Sequence, residues 1–272
     1  MSISVYGGTG FIGGAFCKMF PDKVVLIDRD KRSPQSAEIL YLISTTSNYN
    51  ILESTRLDVD VNLVVLMEVL ENCKNENIVF NYVSSGFVYG NDIIDAKEED
   101  ACNPNGFYSI TKRAAEMLII SFCETFNVKY RIFRLANVYG TEDQETSGKK
   151  NALGFLMNQL KENKELTLYD GGNVLRDYLH VDDVCRAIKL VMDKGDLNSI
   201  YNIASGKPER FYDIIKRAKD FIGSSSKLTA VEAPDFYKKV QAKNFSLNVE
   251  KFKKLGFEET LSIDEGLKLL CL

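Results

Sequence analysis

Tyr108 and Lys112 stand four residues apart in Phe107-Tyr108-Ser109-Ile110-Thr111-Lys112, so on a helix they share one face. A tyrosine phenol ionises near pH ~10, too high for a general base at neutral pH. A fixed ammonium within a few ångströms stabilises the phenolate and lowers that value, and such a pair can move a proton on and off an alcohol. The same spacing arises by chance on amphipathic helices, so its meaning depends on its companions.

The first companion lies at the N-terminus. Ile3-Ser4-Val5-Tyr6 is a short apolar run leading into Gly7-Gly8-Thr9-Gly10-Phe11-Ile12-Gly13, after which Ala15, Phe16, Met19 and Phe20 begin a helix. Glycines at 7, 10 and 13 allow a tight turn, close backbone approach to a pyrophosphate, and close packing of helix on strand. The helix N-terminus offers N–H groups and a positive dipole end to phosphates. A second run, Val24-Val25-Leu26-Ile27, ends at Asp28, whose carboxylate can accept hydrogen bonds from ribose hydroxyls. Asp28 repels a 2′-phosphate and so favours NAD, while Arg29, Lys31 and Arg32 leave NADP possible.

With these segments in place, the chain resembles the extended short-chain dehydrogenase/reductase family over nearly its whole length, particularly the nucleotide-sugar epimerase and dehydratase branch. The resemblance rests on Val83-Ser84-Ser85-Gly86-Phe87-Val88-Tyr89-Gly90, Tyr108 with Lys112, and Arg134-Leu135-Ala136-Asn137-Val138-Tyr139-Gly140. Arg176 to Val184 and Tyr201 to Gly206 complete the series. It implies that Ser85, Tyr108 and Lys112 are catalytic, with Ser85 hydrogen-bonding the reacting sugar oxygen. It assigns Gly7, Gly10, Phe11, Ile12, Gly13, Asp28, Arg29, Leu42, Ile43, Asn62 and Leu135 to the cofactor site, with Tyr108 and Lys112. Ser85, Tyr108, Asn137, Asn151, Thr167, Tyr169 and Arg176 are implied substrate contacts, Arg176 as the guanidinium that grips a diphosphate. Bland alternatives stand beside several of these: Asn62 satisfying local backbone, Asn151 capping a helix to about Asn163, Arg176 in a surface ion pair. His180 beside Asp182 and Asp183 is read as structural, because no Gly-x-Ser-x-Gly elbow accompanies it.

The expected fold is α/β, a Rossmann-type doubly wound parallel sheet lacking the usual third strand, with a smaller mixed substrate-binding lobe at the C-terminal side. The core takes 1–140 and 178–204 and the lobe 141–177 and 205–272. The missing strand follows from length: only the nine residues Arg29 to Ala37 separate Asp28 from the next apolar run, Glu38 to Ser44, too few for a helical crossover. The connection must be taut and cross the first strand. An open adenine pocket is expected, unless Lys31 to Ser36 fold over the adenine instead. Family dehydratases carry an Asp-Glu pair after the hydroxyl residue; Gly86 and Phe87 stand there, which argues against water elimination. Near Glu232-Ala233-Pro234-Asp235 a family phosphate-binding arginine is absent, leaving Lys238, Lys239 or neither. The polar run Thr141 to Lys150 reads as a mobile loop over the substrate.

Bulk properties exclude other classes. The 272 residues suit one large domain or two joined lobes, and 45% apolar with 26% charged residues is ordinary for a soluble globular protein. A net charge of −4 gives no reason to expect nucleic acid, and no apolar run approaches the roughly 18 residues of a membrane span. Six scattered cysteines and an N-terminus without a basic, apolar leader point to reduced thiols in a cytoplasmic protein. A single histidine argues against a His-based metal site. Residues 108–126 are apolar around most of the helix, which implies a second subunit on the outer side and a homodimer, or coverage by the C-terminal segments.

The leading expectation is an NAD(P)-dependent oxidoreductase acting at C4 of a nucleotide-diphosphate sugar, a 4-epimerase working through a transient 4-keto sugar. A 4-ketoreductase for 4-keto-6-deoxy sugars uses the same residues once. A dinucleotide-binding regulatory or scaffold protein without turnover is the alternative of another class.

Overall fold

The computed structural model describes residues 2–75, 77–141, 143, 152–241 and 243–271. Six short apolar runs form its main sheet: β1 (Ile3–Tyr6), β2 (Val24–Ile27), β3 (Glu38–Tyr41), β4 (Val79–Ser85), β5 (Lys129–Leu135) and β6 (Ser199–Ile203). All neighbours are parallel, in the order β2-β1-β3-β4-β5-β6. β4 is buried from Phe80 to Ser85, the signature of a strand covered on both faces. Helices α1 (Phe11–Met19) and α5 (Val181–Lys194) pack on one face, where Phe16, Val184, Ile188 and Val191 meet Val83, Phe133 and Leu135. On the other lie α2, made of the consecutive segments Leu57–Val59, Asp60–Val64 and Val65–Glu71, and α3 (Phe107–Phe126). There Leu66, Val69, Ile119 and Phe122 meet Tyr41, Phe80, Tyr82 and Ile132.

The third strand is absent, as its missing length requires. Residues 29–37 carry no helix and run down the face of β1 on the α2 side. The Tyr6 hydroxyl donates to the Arg32 carbonyl at 2.7 Å, and the wholly buried Ser4 Oγ accepts the Gln35 and Ser36 amides, each at 2.9 Å. Arg32 Nε reaches Glu68 at 2.6 Å, and Ser33 Oγ donates to Asn72 at 2.9 Å. A polar Ser4 within β1 thus supplies the hydrogen bonds that a crossover helix would have made for itself. Residues 32–36 are committed to β1 and α2 rather than folded over the end of β2.

Beyond β5 the chain adds small strand pairs: Asn137–Tyr139 with Tyr178–His180, Leu166–Tyr169 with Leu228–Val231, and Ile93–Ala96 with Phe245–Leu247, all parallel. Helices α4 (Ala152–Lys161), α6 (Phe211–Ile222) and α9 (Ile263–Cys271) share a separate core of Leu153, Leu156, Leu160, Leu168, Ile214, Ile215 and Leu267. We propose on this separate core that the chain divides into a nucleotide core and a substrate lobe. Within 205–272, Phe245, Leu247 and Phe252, the last on α8 (Glu250–Lys253), pack back onto the sheet. Between them and α6 lies α7 (Asp235–Val240).

Candidate active site

At the C-terminal ends of β1, β3, β4 and β5 a cleft of about 390 Å³ opens between the sheet and the C-terminal segments. The glycine turn forms its floor. Gly7 has φ +81, and a Cβ there would lie 3.0 Å from Ile43 N, where the end of β3 crosses. A Cβ on Gly13 would fall 2.2 Å from the Gly7 carbonyl oxygen, so α1 can start this close to β1 only because residue 13 is glycine. Gly10 is different: a Cβ there meets nothing nearer than Gly7 O at 3.4 Å and would stand in the cleft itself. The first-turn amides of α1 have no partners within the helix and lie at this floor. A bare backbone concavity at a helix N-terminus fits the pyrophosphate of a dinucleotide.

Gly7, Gly10, Phe11, Ile12, Gly13, Leu42, Ser85, Tyr108, Lys112, Leu135, Asn137 and Arg176 all line this one cleft. The remaining expected residues stand elsewhere. The Asp28 side chain is 73% exposed, beyond the lining, with Lys31 at 3.6 Å, and Arg29 beside it is exposed. Ile43 packs against the α2-side core. Asn62, on the π-helical turn of α2, is buried behind the wall: its Oδ1 accepts Thr45 N–H at 2.8 Å, and its amide donates to Thr45 Oγ1 and Thr111 Oγ1 at 2.8 and 2.9 Å. Asn62 thus ties the segment after β3 to α3. Thr167 is exposed, and Tyr169 reaches the rim only through its ring, 4.8 Å from that of Tyr237. Asn151 and most of 141–150 lie outside the described residues.

Tyr108 and Lys112 share the first turns of α3, and Ser85 closes β4 opposite them. The Ser85 hydroxyl hydrogen-bonds the Tyr108 phenol, which lowers the phenol's pKa, but burial outweighs this and raises it. Lys112 is not among the groups that shift this phenol. Lys112 is 2% exposed; its Nζ donates to the Val83 carbonyl at 2.6 Å and lies 4.3 Å from the Tyr82 ring centre. The amine thus anchors the first turns of α3 to the β4 backbone. Burial pulls its pKa down to about 7, with Glu116 opposing.

Beneath these groups is a buried ion pair that sequence reading missed. Glu116, one turn beyond Lys112 and wholly buried, accepts Ser84 Oγ at 2.6 Å, Arg134 Nε at 3.1 Å and Nη2 at 2.8 Å, and Arg113 Nη1 at 2.8 Å. Arg134 also lies 4.6 Å from the Tyr89 ring centre. The paired contacts satisfy both charges out of water, and they anchor the strand residue next to Ser85.

Arg176 is buried, and its Nη1 donates to the carbonyls of Leu175 at 2.9 Å and Lys243 at 2.5 Å. Lys238 pairs with Glu232 at 2.5 Å and does not line the cleft, whereas Tyr237 and Gln241 do. The polar run Ser44 to Asn48 also lines it. A stretch of hydroxyls and amides directly after a buried strand was the available signal for these residues. His180 caps α5, its Nδ1 accepting Asp182 N–H at 3.3 Å, which agrees with a structural role.

The chain was compared with protein families, known sequences and solved structures. A family model described as the NAD dependent epimerase/dehydratase family matches residues 45–204. A putative UDP-glucose 4-epimerase of Methanocaldococcus jannaschii is 27% identical over 226 residues, 80% of this chain and 70% of that one. A dTDP-D-glucose 4,6-dehydratase of Dictyostelium discoideum is 27% identical over 192 residues, 66% of this chain but only 43% of its own length. The crystal structure of the UDP-glucose 4-epimerase of Thermotoga maritima with UDP-glucose shares the fold, with a TM-score of 0.88 at 24% identity, covering 100% of this chain and 97% of that one.

Proposed function

The chain belongs to the NAD dependent epimerase/dehydratase family, and from that premise we propose that it is an NAD(P)-dependent enzyme acting at C4 of a nucleotide-diphosphate sugar, a 4-epimerase. The observation that carries this reading is the meeting of Ser85, Tyr108 and Lys112 with the bare glycine turn in one cleft. A nicotinamide bound there supplies the hydride acceptor and donor. Tyr108 would take the proton of the 4-hydroxyl, its phenolate favoured by the Ser85 hydrogen bond and by the positive charge of a bound oxidised nicotinamide. Lys112, an amine held at about 7, can take up or release a proton at neutral pH one helical turn away. For epimerisation C4 would give up a hydride to the bound nicotinamide, the keto sugar would turn over, and C4 would take the hydride back on its other face. Arg176, which lines the same cleft, would grip the diphosphate with its guanidinium.

A 4-ketoreductase is the second reading. It is supported by the sheet ending at β2: with residues 29–37 laid on β1, no third strand walls the adenine end, which suits a cofactor that exchanges each cycle. To decide, the purified protein is scanned for nicotinamide absorbance and given UDP-glucose, then 4-keto-6-deoxy sugar nucleotides. Copurifying NAD and turnover without net redox change supports the epimerase. Stoichiometric loss of added NADH or NADPH supports the reductase. Binding of neither cofactor sinks both, and binding without any turnover leaves a regulatory or scaffold protein. Y108F is expected to abolish turnover while keeping cofactor binding; an unchanged rate removes Tyr108 from the mechanism.

We further propose a homodimer through α3, which leaves Ile110 50% and Met117 57% exposed beside exposed Leu57 and Val64 of α2. Sedimentation of I110D with M117D as a monomer against a wild-type dimer tests it. Among the described residues no helix is long and apolar enough to cross a membrane. Cytoplasmic residence, supported by six free cysteines, is part of the same proposal.

A further inference from the structure

Helix α3, which carries Tyr108 and Lys112, has no cap of its own. Gly106 precedes it with φ +80 and has no side chain to offer. The amide of Tyr108, second residue of the helix and one of its orphan donors, instead donates to Asn48 Oδ1 at 3.1 Å. Asn48 comes from the segment after β3, sixty residues earlier. Its carboxamide fits only because residue 106 is glycine, since a Cβ there would lie 2.5 Å from Asn48 Oδ1.

The other end of the same carboxamide points the opposite way. Asn48 Nδ2 donates to the carbonyl of Val240, the last residue of α7, at 2.9 Å. Beside it the Tyr49 ring lies 5.2 Å from that of Phe236. Asn48 is 6% exposed, so neither bond competes fully with water. Tyr237 and Gln241, on the same turn of chain as Val240, line the cleft together with Asn48. A rigid planar amide therefore joins the wall of the cleft that a ligand touches to the first turn of the helix holding the phenol.

We propose that Asn48 is a positioning residue that ties the seating of α7 to the setting of Tyr108, so that a nucleotide diphosphate resting on Tyr237 and Gln241 orders the acid-base group. The catalytic consequence rests on the role given to Tyr108 above; the coupling itself does not. If α7 moves away, Asn48 cannot hold both partners, and the Tyr108 amide loses its cap.

Hydrogen exchange at the Tyr108 amide, read by mass spectrometry on wild type, N48A and F236A with and without UDP, tests this. Exchange in N48A is expected to be at least about tenfold faster, and in F236A, which leaves Asn48 intact, at least about threefold faster. UDP is expected to slow exchange in wild type and not in N48A. Unchanged exchange in N48A overturns the cap, and wild-type exchange in a folded F236A overturns the coupling. A wild type that takes up no UDP removes the nucleotide reading of the previous subsection, while the three proteins compared without ligand still decide the coupling. With UDP-glucose turned over, N48D keeps the acceptor for Tyr108 and loses the donor to Val240, so KM rises with kcat held, whereas N48A lowers kcat. A merely structural role would leave no such split.

Discussion

Lys112 Nζ donates to the Val83 carbonyl at 2.6 Å, with the Tyr82 ring on its flank and almost no water access. Burial holds this amine at about 7, against 10.5 when free. Between those values the unfolded chain binds the proton and the folded one does not. Stability therefore falls as pH drops from 10.5 toward 7 and levels off below. K112M is expected to lack this slope and to be about 1–2 kcal/mol more stable at pH 7, after subtracting the lost hydrogen bond, while losing activity. Urea midpoints at pH 7 and 9.5 check it; a wild-type slope in K112M would refute a buried, strained amine.

The two glycines of the turn are expected to fail differently. G13A drives a Cβ into the Gly7 carbonyl and costs about 2–3 kcal/mol. G10A adds its methyl in open cleft, changes stability by about 1 kcal/mol or less, and weakens NADH binding at least tenfold. Thermal melts with NADH titrations separate the two, and tight NADH binding by G10A would remove the phosphate from this floor.

For the Glu116–Arg134 pair, E116Q leaves a buried guanidinium without its carboxylate and is expected to cost about 3–5 kcal/mol. S84A removes one neutral donor from the same carboxylate and costs about 1–2 kcal/mol. Urea unfolding orders the two, and equal losses would mean that the ion pair adds nothing beyond a hydrogen bond.

His180 is 4% exposed and its pKa is lowered from 6.5, chiefly by burial, with Asp182 opposing. The groups around it are the Tyr139 ring edge and the α5 N-terminus. Below 6.5 the unfolded chain takes up a proton that the fold resists, so stability falls as pH drops through that value toward the lower folded pKa. H180N keeps an oxygen for the cap and is expected to flatten the fall between pH 7.5 and 5 in melting curves; an unchanged slope assigns it to other groups.

Much of this was legible in residue types and short spacings, because short-range geometry follows from them. Gly7, Gly10 and Gly13 between an apolar run and a helix define a phosphate-sized turn, and Tyr108 with Lys112 must share a helix face. Nine residues from Asp28 to Glu38 leave no length for a strand and a helix, and the sheet lacks that strand.

Direction and pairing over long separations were decided only by the tertiary structure. That Lys112 Nζ donates to the Val83 carbonyl depends on how α3 settles on β4. That Glu116 meets Arg134, that Asn48 reaches both Tyr108 and Val240, and that Asp28 stays in solvent are consequences of packing between segments up to 192 residues apart. Burial then fixes the energetics: a phenol and an amine that look ordinary in sequence shift in opposite directions, because desolvation penalises whichever form of each is charged.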